Sequence, residues 1–363
     1  MIFDARRPVL ITGGAGFIGA NLAHRLLSDG QPVLVYDNLS RTGVADNLAW
    51  LRERHGAHME VQVADVRDSL LLRRAVKRSC RVFHMAAQVA VTTSLSDPIQ
   101  DFEVNARGTL NLLEAIRAVP EPPPLLYTSS GKIYGALAGL ELDNTEGRYL
   151  PKNPQARAAG VAESHPLDFH SPYGCSKGAA DQYVLDYARM YQLPAVVFRL
   201  GSVYGPHQRG TEDQGWVAHF LLRALRGEPI TIYGDGRQVR DVLHVDDLIE
   251  AMCRAQVKLA RVAGRAFNVG GGVDNALSLR DLLDVIRRLH GSVPEVRFGP
   301  WRLADQRYYV ADIAALVEAA GWRPRISAEQ GVRELYDSMR ETFGERRGPV
   351  RTVHAPAQVA ARS

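Results

Sequence analysis

Two kinds of hydrophobic pattern alternate along the first two-thirds of the chain. Residues 9–12, 33–36, 61–63, 82–85, 125–129 and 195–200 are short, largely apolar runs rich in β-branched side chains. Between most of them lie stretches such as 17–27, 70–77 and 108–118, where apolar positions recur every three to four residues. The first pattern predicts strands buried on both faces, the second amphipathic helices. Strands of this kind separated by helices predict an α/β fold, a doubly wound parallel sheet covered on both sides. The pattern breaks at residues 136–166, which are rich in Gly, Pro and polar residues and read as a long surface insertion. Beyond residue 201 the strands thin out: 230–233 and 266–269 are interspersed with helical stretches such as 279–289. Residues 201–343 therefore read as a smaller lobe, partly interleaved with the sheet domain of 1–200. Residues 344–363 are rich in Arg, Pro and Ala without periodicity, which predicts a disordered tail.

The string Val9-Leu-Ile-Thr-Gly13-Gly14-Ala-Gly16-Phe17-Ile18-Gly19 ends a predicted strand and opens a predicted helix. In that context glycines let the backbone turn sharply and approach a pyrophosphate, while the helix N-terminus offers free N–H groups. The next strand ends in Asp37, beside Asn38. A carboxylate there accepts from both adenosine ribose hydroxyls and repels a 2′-phosphate, which favours NAD over NADP. Asp65-Val66 and Ala86-Ala87-Gln88 close the next two strands, and Asn105 follows in a helical stretch. Successive strand ends thus outline one dinucleotide crevice, a Rossmann-type arrangement.

Tyr173-Gly-Cys-Ser-Lys177 opens another helical stretch. Residues at i and i+4 share a helical face, so phenol and ammonium can meet one substrate. A nearby cation, together with the nicotinamide charge of NAD⁺, favours phenolate, which makes Tyr173 the candidate base for a hydroxyl proton. A hydroxyl partner is expected from another strand end, and Thr128-Ser129-Ser130 supplies it, continuing as Gly131-Lys132-Ile-Tyr-Gly135.

With these motifs the chain resembles the extended short-chain dehydrogenase/reductase family of NAD-dependent nucleotide-sugar epimerases and dehydratases, over about residues 8–340. The resemblance implies catalytic roles for Ser130, Tyr173 and Lys177, with Lys177 also holding the nicotinamide ribose. The family's 4,6-dehydratases carry an Asp-Glu pair just before the (V/I)YG element, and its sugar decarboxylases carry Glu at the position of Lys132. Ser130-Gly131-Lys132 has no carboxylate, which disfavours both and leaves epimerisation. The strings 168–182, 211–217 and 236–244, together with Asn144-Thr-Glu-Gly-Arg-Tyr149, are similar to the subgroup that inverts C2 of CDP-activated deoxyhexoses, the CDP-tyvelose or CDP-paratose 2-epimerases. That likeness implies oxidation to a 2-keto sugar, turning of the intermediate, and hydride return by NAD that stays bound. It implies a nucleotide-diphosphate sugar, CDP-linked, held by Arg240 and Arg302, with Lys132, Ser202 and Gln214 around the sugar. Ser202 stands where many members carry Asn. Trp216 is read as pocket lining or core, His244 as structural support, and Cys175 as packing beside Tyr173. Helices over 101–118 and 173–191 resemble the family's dimer-forming pair, so a homodimer or tetramer is expected.

Composition changes this picture little. The formal net charge is +4, but Arg346, Arg347, Arg351 and Arg362 lie near the C-terminus against Glu345, leaving a body near neutrality and no sign of a nucleic-acid surface. Cys80, Cys175 and Cys253 stand far apart, which points to reduced thiols in a cytoplasmic protein rather than a disulfide frame or metal site. Apolar runs fall well short of the ~18–20 residues of a membrane span, and the N-terminus lacks a signal-peptide pattern. Two other readings stay open: a UDP-glucose-type 4-epimerase with the same triad, and a non-catalytic NAD-binding regulatory protein.

Overall fold

The computed structural model describes residues 7–137, 139–144 and 147–346. Seven strands form its main sheet: β1 (Val9–Thr12), β2 (Val33–Asp37), β3 (Met59–Val63), β4 (Arg81–His84), β5 (Leu125–Ser130), β6 (Ala195–Leu200) and β7 (Ala266–Val269). Their order is β7-β6-β5-β4-β1-β2-β3, and every pairing is parallel, with Val9 opposite both Val33 and Arg81. The chain winds outward from β1 to β3, then crosses back to β4 and winds the other way. Ligands bind at such a switch point, outside the carboxyl ends of the strands.

The continuous apolar character of these strands follows from burial on both faces. Val9, Ile11, Val33, Val35, Phe83 and Phe198 point into one cluster, completed by α1 (Phe17–Ser28). Leu10, Leu34, Val82, Tyr127 and Val197 point into the other, completed by α2 (Gly108–Arg117) and α3 (Ser171–Met190). Each fully buried Val, Leu or Phe contributes about 1.5–3 kcal/mol, so reversing one strand's register would expose a whole face. Helix α4 (Val245–Val257) joins the first cluster through Ile249 and Met252, and β7 forms the sheet edge beside β6. Residues beyond 201 therefore build part of the first core as well as their own, around Phe220, Leu221, Ile232, Leu282 and Ile286.

In three places the structure departs from the sequence pattern. Segment 136–166 is not merely a surface insertion. Leu137, Tyr149 and Val161 are buried, Leu142–Asp143 pairs with Leu150–Pro151, and the Val161 amide donates to Val310 O at 2.7 Å. Its anchors are side chains scattered at irregular spacing, which periodicity does not reveal; Thr145 and Glu146 of the quoted string lie outside the described residues. Second, Ile230–Tyr233 pairs in parallel with Val296–Gly299, and a small mixed sheet joins Ser202–Tyr204, Val239–His244, Ala276–Ser278 and Tyr308–Tyr309. Of these strands, Val239–His244 carries Arg and Asp and Val296–Gly299 carries Arg and Gly, so both lack the apolar signature. Third, the last helix spans Ala328–Arg346 and takes in Gly344, Glu345 and Arg346; residues 347–363 lie outside the described residues.

Candidate active site

A cavity of about 590 Å³ opens along the carboxyl ends of β1 to β6. The turn after β1 has Gly13 at φ +70°, and a Cβ there would lie 2.7 Å from the amide nitrogen of Ala86. Gly19 is equally constrained, since its Cβ would fall 2.1 Å from Gly13 O. Only glycine lets the β1–α1 turn sit against the end of β4 and keep the cleft floor open. Helix α1 starts from Gly16 with no side-chain cap and no acidic residue in its first turn. Its amide end and positive dipole thus face the cavity with Gly16, Phe17, Ile18 and Gly19 in the wall, which suits a pyrophosphate.

Asp37 closes β2 and also lines the cavity. Its carboxylate accepts from Leu39 N at 2.9 Å and Ala15 N at 3.1 Å. Burial pushes its pKa up, opposed by those amides, Gly16 N–H and the charge of Arg41. Asn38, Asp65, Val66, Ala86, Ala87 and Gln88 are in the same wall. Asp65 is already engaged: Arg67 and the Asn38 amide hold it at 2.8 Å and bring its pKa down to about 2, so its carboxylate braces the rim. Asn105 is the cofactor candidate that the fold does not bring to the cavity. It is 1% exposed and exchanges hydrogen bonds with the Gln88 backbone at 2.9 and 3.0 Å, holding the wall from behind. The glycine cradle, helix amide end and Asp37 carboxylate in the cavity wall all fit a dinucleotide.

Ser130, Tyr173 and Lys177 meet at the inner end of the same cavity. Pro172 in the first turn of α3 restricts the helix start, and Tyr173 and Lys177 fall one turn apart on its buried face. Behind them, Asp181 forms a two-pronged ion pair with Arg199 of β6 at 2.9 and 3.0 Å, and Arg199 also donates to Tyr134 Oη at 2.9 Å. That buried pair locks α3 to the sheet, because losing one partner would strand the other charge at a cost of roughly 3–5 kcal/mol. Tyr173 is 8% exposed. Burial raises its phenol pKa, while the hydrogen bond with Ser130 and the charge of Arg41 lower it. Lys177, the cation expected to favour phenolate together with the nicotinamide charge, donates from its ammonium to Thr128 O at 2.5 Å and lies 4.5 Å from the Tyr127 ring centre. Burial pushes Lys177 itself down to about 7, against the pull of Asp181 and Asp101. His84, bonded to Thr12 at 2.6 Å and Thr109 at 3.0 Å, is driven by burial to about 3 and stays neutral.

Of the substrate candidates, Gln214 lines the cavity. Lys132, Ser202, Arg240 and Arg302 are outside its wall, and two of them, Lys132 and Arg240, meet at Asp305. Lys132 Nζ lies 3.1 Å from Asp305 Oδ1, and Arg240 Nη2 lies 2.8 Å from the same oxygen. Burial opposes ionisation of Asp305, yet these two cations hold its carboxyl below the usual range. Asp305 was missed in the sequence, where only the arginine of Arg302-Leu-Ala-Asp305 drew notice; the carboxylate three residues on was the available signal. Arg302 packs on the Tyr233 ring at 3.9 Å and pairs with Asp213 at 3.5 Å, next to Gln214. Ser202 meets Trp216 Nε1 at 3.5 Å, and Trp216 packs on the second lobe's core. His244 is buried and caps α4, accepting from Asp246 N at 3.4 Å. Cys175, by contrast, is exposed rather than packed. Arg41, which no motif singled out, also lines the cavity.

The chain matches the NAD dependent epimerase/dehydratase family over residues 9–270. It is 45% identical over 340 residues to a CDP-paratose 2-epimerase of Salmonella typhi, covering 91% of this chain and 98% of that protein. A UDP-glucose 4-epimerase of Mycolicibacterium smegmatis is 34% identical over 332 residues, covering 91% and 98%. Among solved structures, the Thermus thermophilus UDP-glucose 4-epimerase in complex with NAD superposes with a TM-score of 0.77 at 34% identity, covering 94% of this chain and all of that one (100%).

Proposed function

The chain belongs to the NAD dependent epimerase/dehydratase family, and from that premise we propose that it inverts C2 of a CDP-activated hexose or deoxyhexose through a transient 2-keto sugar. The observation that carries this reading is the inner end of the cavity. Ser130, Tyr173 and Lys177 converge there, while the position that would supply an elimination carboxylate is a lysine committed to Asp305. The likeness to the Salmonella typhi enzyme supports C2 and CDP over other choices.

Bound NAD supplies the acceptor, and then the donor, of the C2 hydride. Asp37 would hold the adenosine ribose, the α1 amides would hold the pyrophosphate, and Lys177 would hold the nicotinamide ribose. Tyr173 takes the C2 hydroxyl proton as the carbonyl forms and returns it when the alcohol is restored. Ser130 hydrogen-bonds the same oxygen and orients it. Arg240 and Arg302 grip the diphosphate by paired, permanently charged donors, so the keto sugar can turn about its link to the nucleotide without leaving. Residues 1–200 thus serve mainly the cofactor and 201–343 mainly the substrate.

A UDP-glucose-type 4-epimerase is the second reading, favoured by the 34% identity to the Mycolicibacterium smegmatis enzyme. Incubating the full chain with CDP-, UDP-, GDP- and dTDP-linked hexoses separates the two. C2 inversion of a CDP-hexose or CDP-deoxyhexose is expected; turnover of UDP-glucose at C4 with none at C2 would sink the first reading, and bound NAD without turnover of any would revive the regulatory one.

We also place the protein in the cytoplasm, from three cysteines that stand far apart in the sequence with no paired spacing; among the described residues no helix is long and apolar enough to cross a membrane. A homodimer or tetramer is proposed from the exposed apolar side chains Ile99 and Phe102 and, on α3, Tyr183 and Met190, with Met190 64% exposed. Such a patch is characteristic of an interface. Sedimentation at micromolar concentration is expected to give a dimer or larger; a monomer would contradict it.

A further inference from the structure

Arg41 stands in a loop whose shape is set locally. Asn38 Oδ1 accepts from Ser40 N at 3.1 Å and Ser40 Oγ at 2.8 Å, and Leu39 takes a left-handed conformation at φ 56°. Opposite lies segment 206–214 of the second lobe, tied down at several points. Asn21 donates to Pro206 O at 2.9 Å, the His207 ring lies 3.8 Å from that of Trp50, and Arg209 pairs with Asp46. The innermost link across this seam is Arg41 Nη2 to Gln214 Oε1, at 3.4 Å, where both side chains line the cavity.

The charges in the wall single out Arg41. Asp65 and Arg67 neutralise each other at 2.8 Å, Asp37 is engaged by backbone amides, and Lys177, already assigned to the nicotinamide ribose, donates to Thr128 O. Among the described residues, no carboxylate lies within ion-pair distance of Arg41, although it feels the charges of Asp37 and the Tyr173 phenol. A permanently charged guanidinium thus faces the cavity with an amide as its hydrogen-bond partner. Accepting a hydride cancels the nicotinamide charge, so NADH is one unit more negative than NAD⁺, with the same two phosphates. A fixed cation in a partly desolvated cleft favours the more negative form.

We propose that Arg41, latched to Gln214, is the residue that retains the reduced cofactor while the sugar is a ketone. This rests on the hydride reading above, because only an enzyme that must hold NADH between two half-reactions needs it. If NADH escaped at that stage, the keto sugar would have no hydride to receive. Arg41 acts here by binding and positioning, not as an acid or base.

The test needs no sugar, so it can fail independently of the C2 assignment. Full-length wild-type protein, Arg41→Gln and Arg41→Lys are loaded with NADH or NAD⁺, and release is followed during a chase by nicotinamide fluorescence and by retained radiolabel. Arg41→Gln is expected to release NADH faster by on the order of tenfold, with a clearly smaller change for NAD⁺. Arg41→Lys should recover most of the retention. Equal acceleration for both forms, no acceleration, or a lysine variant as leaky as glutamine would overturn the proposal. In turnover, Arg41→Gln should lose activity progressively and regain it with added NAD⁺; a steady rate indifferent to added NAD⁺ would count equally against it.

Discussion

Tyr173→Phe is expected to lower turnover by on the order of 10²–10⁴-fold while NAD remains bound. The phenol hydroxyl is the atom removed, and nothing else in the described cavity wall replaces it. Lys177 is committed to Thr128 O, His84 is neutral behind the wall, and Ser130 is a far weaker base. Burial raises the Tyr173 pKa while Ser130 and Arg41 lower it, so ionisation of this phenol should shape the pH profile. The residual rate of the Phe variant should therefore lose the limb of the pH profile that rises as this phenol ionises. Steady-state kinetics across pH, with cofactor content measured on the same protein, checks both parts. Near-normal turnover would show that another group takes the proton.

The second large effect is isotopic and close to all-or-none. Epimerases that remove a carbon-bound proton beside a carbonyl usually need a base on each face of the carbon. On the function proposed above, the site offers one candidate base, Tyr173, beside a cofactor cleft, so hydrogen leaving C2 is expected to travel as hydride without mixing with water. Turnover in D₂O should give product without deuterium at C2, and substrate deuterated at C2 should keep its label through inversion. Mass spectrometry and proton NMR of the product read both outcomes. Solvent deuterium at C2 would overturn hydride transfer, and a label lost or moved only at C4 would shift the assignment to 4-epimerisation.

The chain shows its first half plainly because the physics there is local. A parallel strand buried on both faces must be apolar at consecutive positions, as Val9–Thr12 and Ala195–Leu200 are. A pyrophosphate turn needs glycine at Gly13 and Gly19, where a side chain would strike backbone. A phenol and ammonium that share a helical face must be four apart, as Tyr173 and Lys177 are. These constraints act between neighbours in sequence, so composition and spacing alone point to a dinucleotide cleft with a tyrosine and a lysine in its wall.

What tertiary structure alone decided lies where partners come from distant segments. Lys132 meets Asp305, and Arg41 meets Gln214, across 173 residues of sequence in each case. Asn105 is displaced from cofactor contact to wall support by its bonds to Gln88. Segment 136–166 is anchored by Val161 against Val310 rather than left on the surface. A polar side chain carries no periodic signal, and its energy depends on which charge or amide folding brings within about 3 Å. Whether a lysine faces solvent, substrate or a buried carboxylate is therefore set by desolvation and pairing in the folded chain, and only the assembled lobes make that choice.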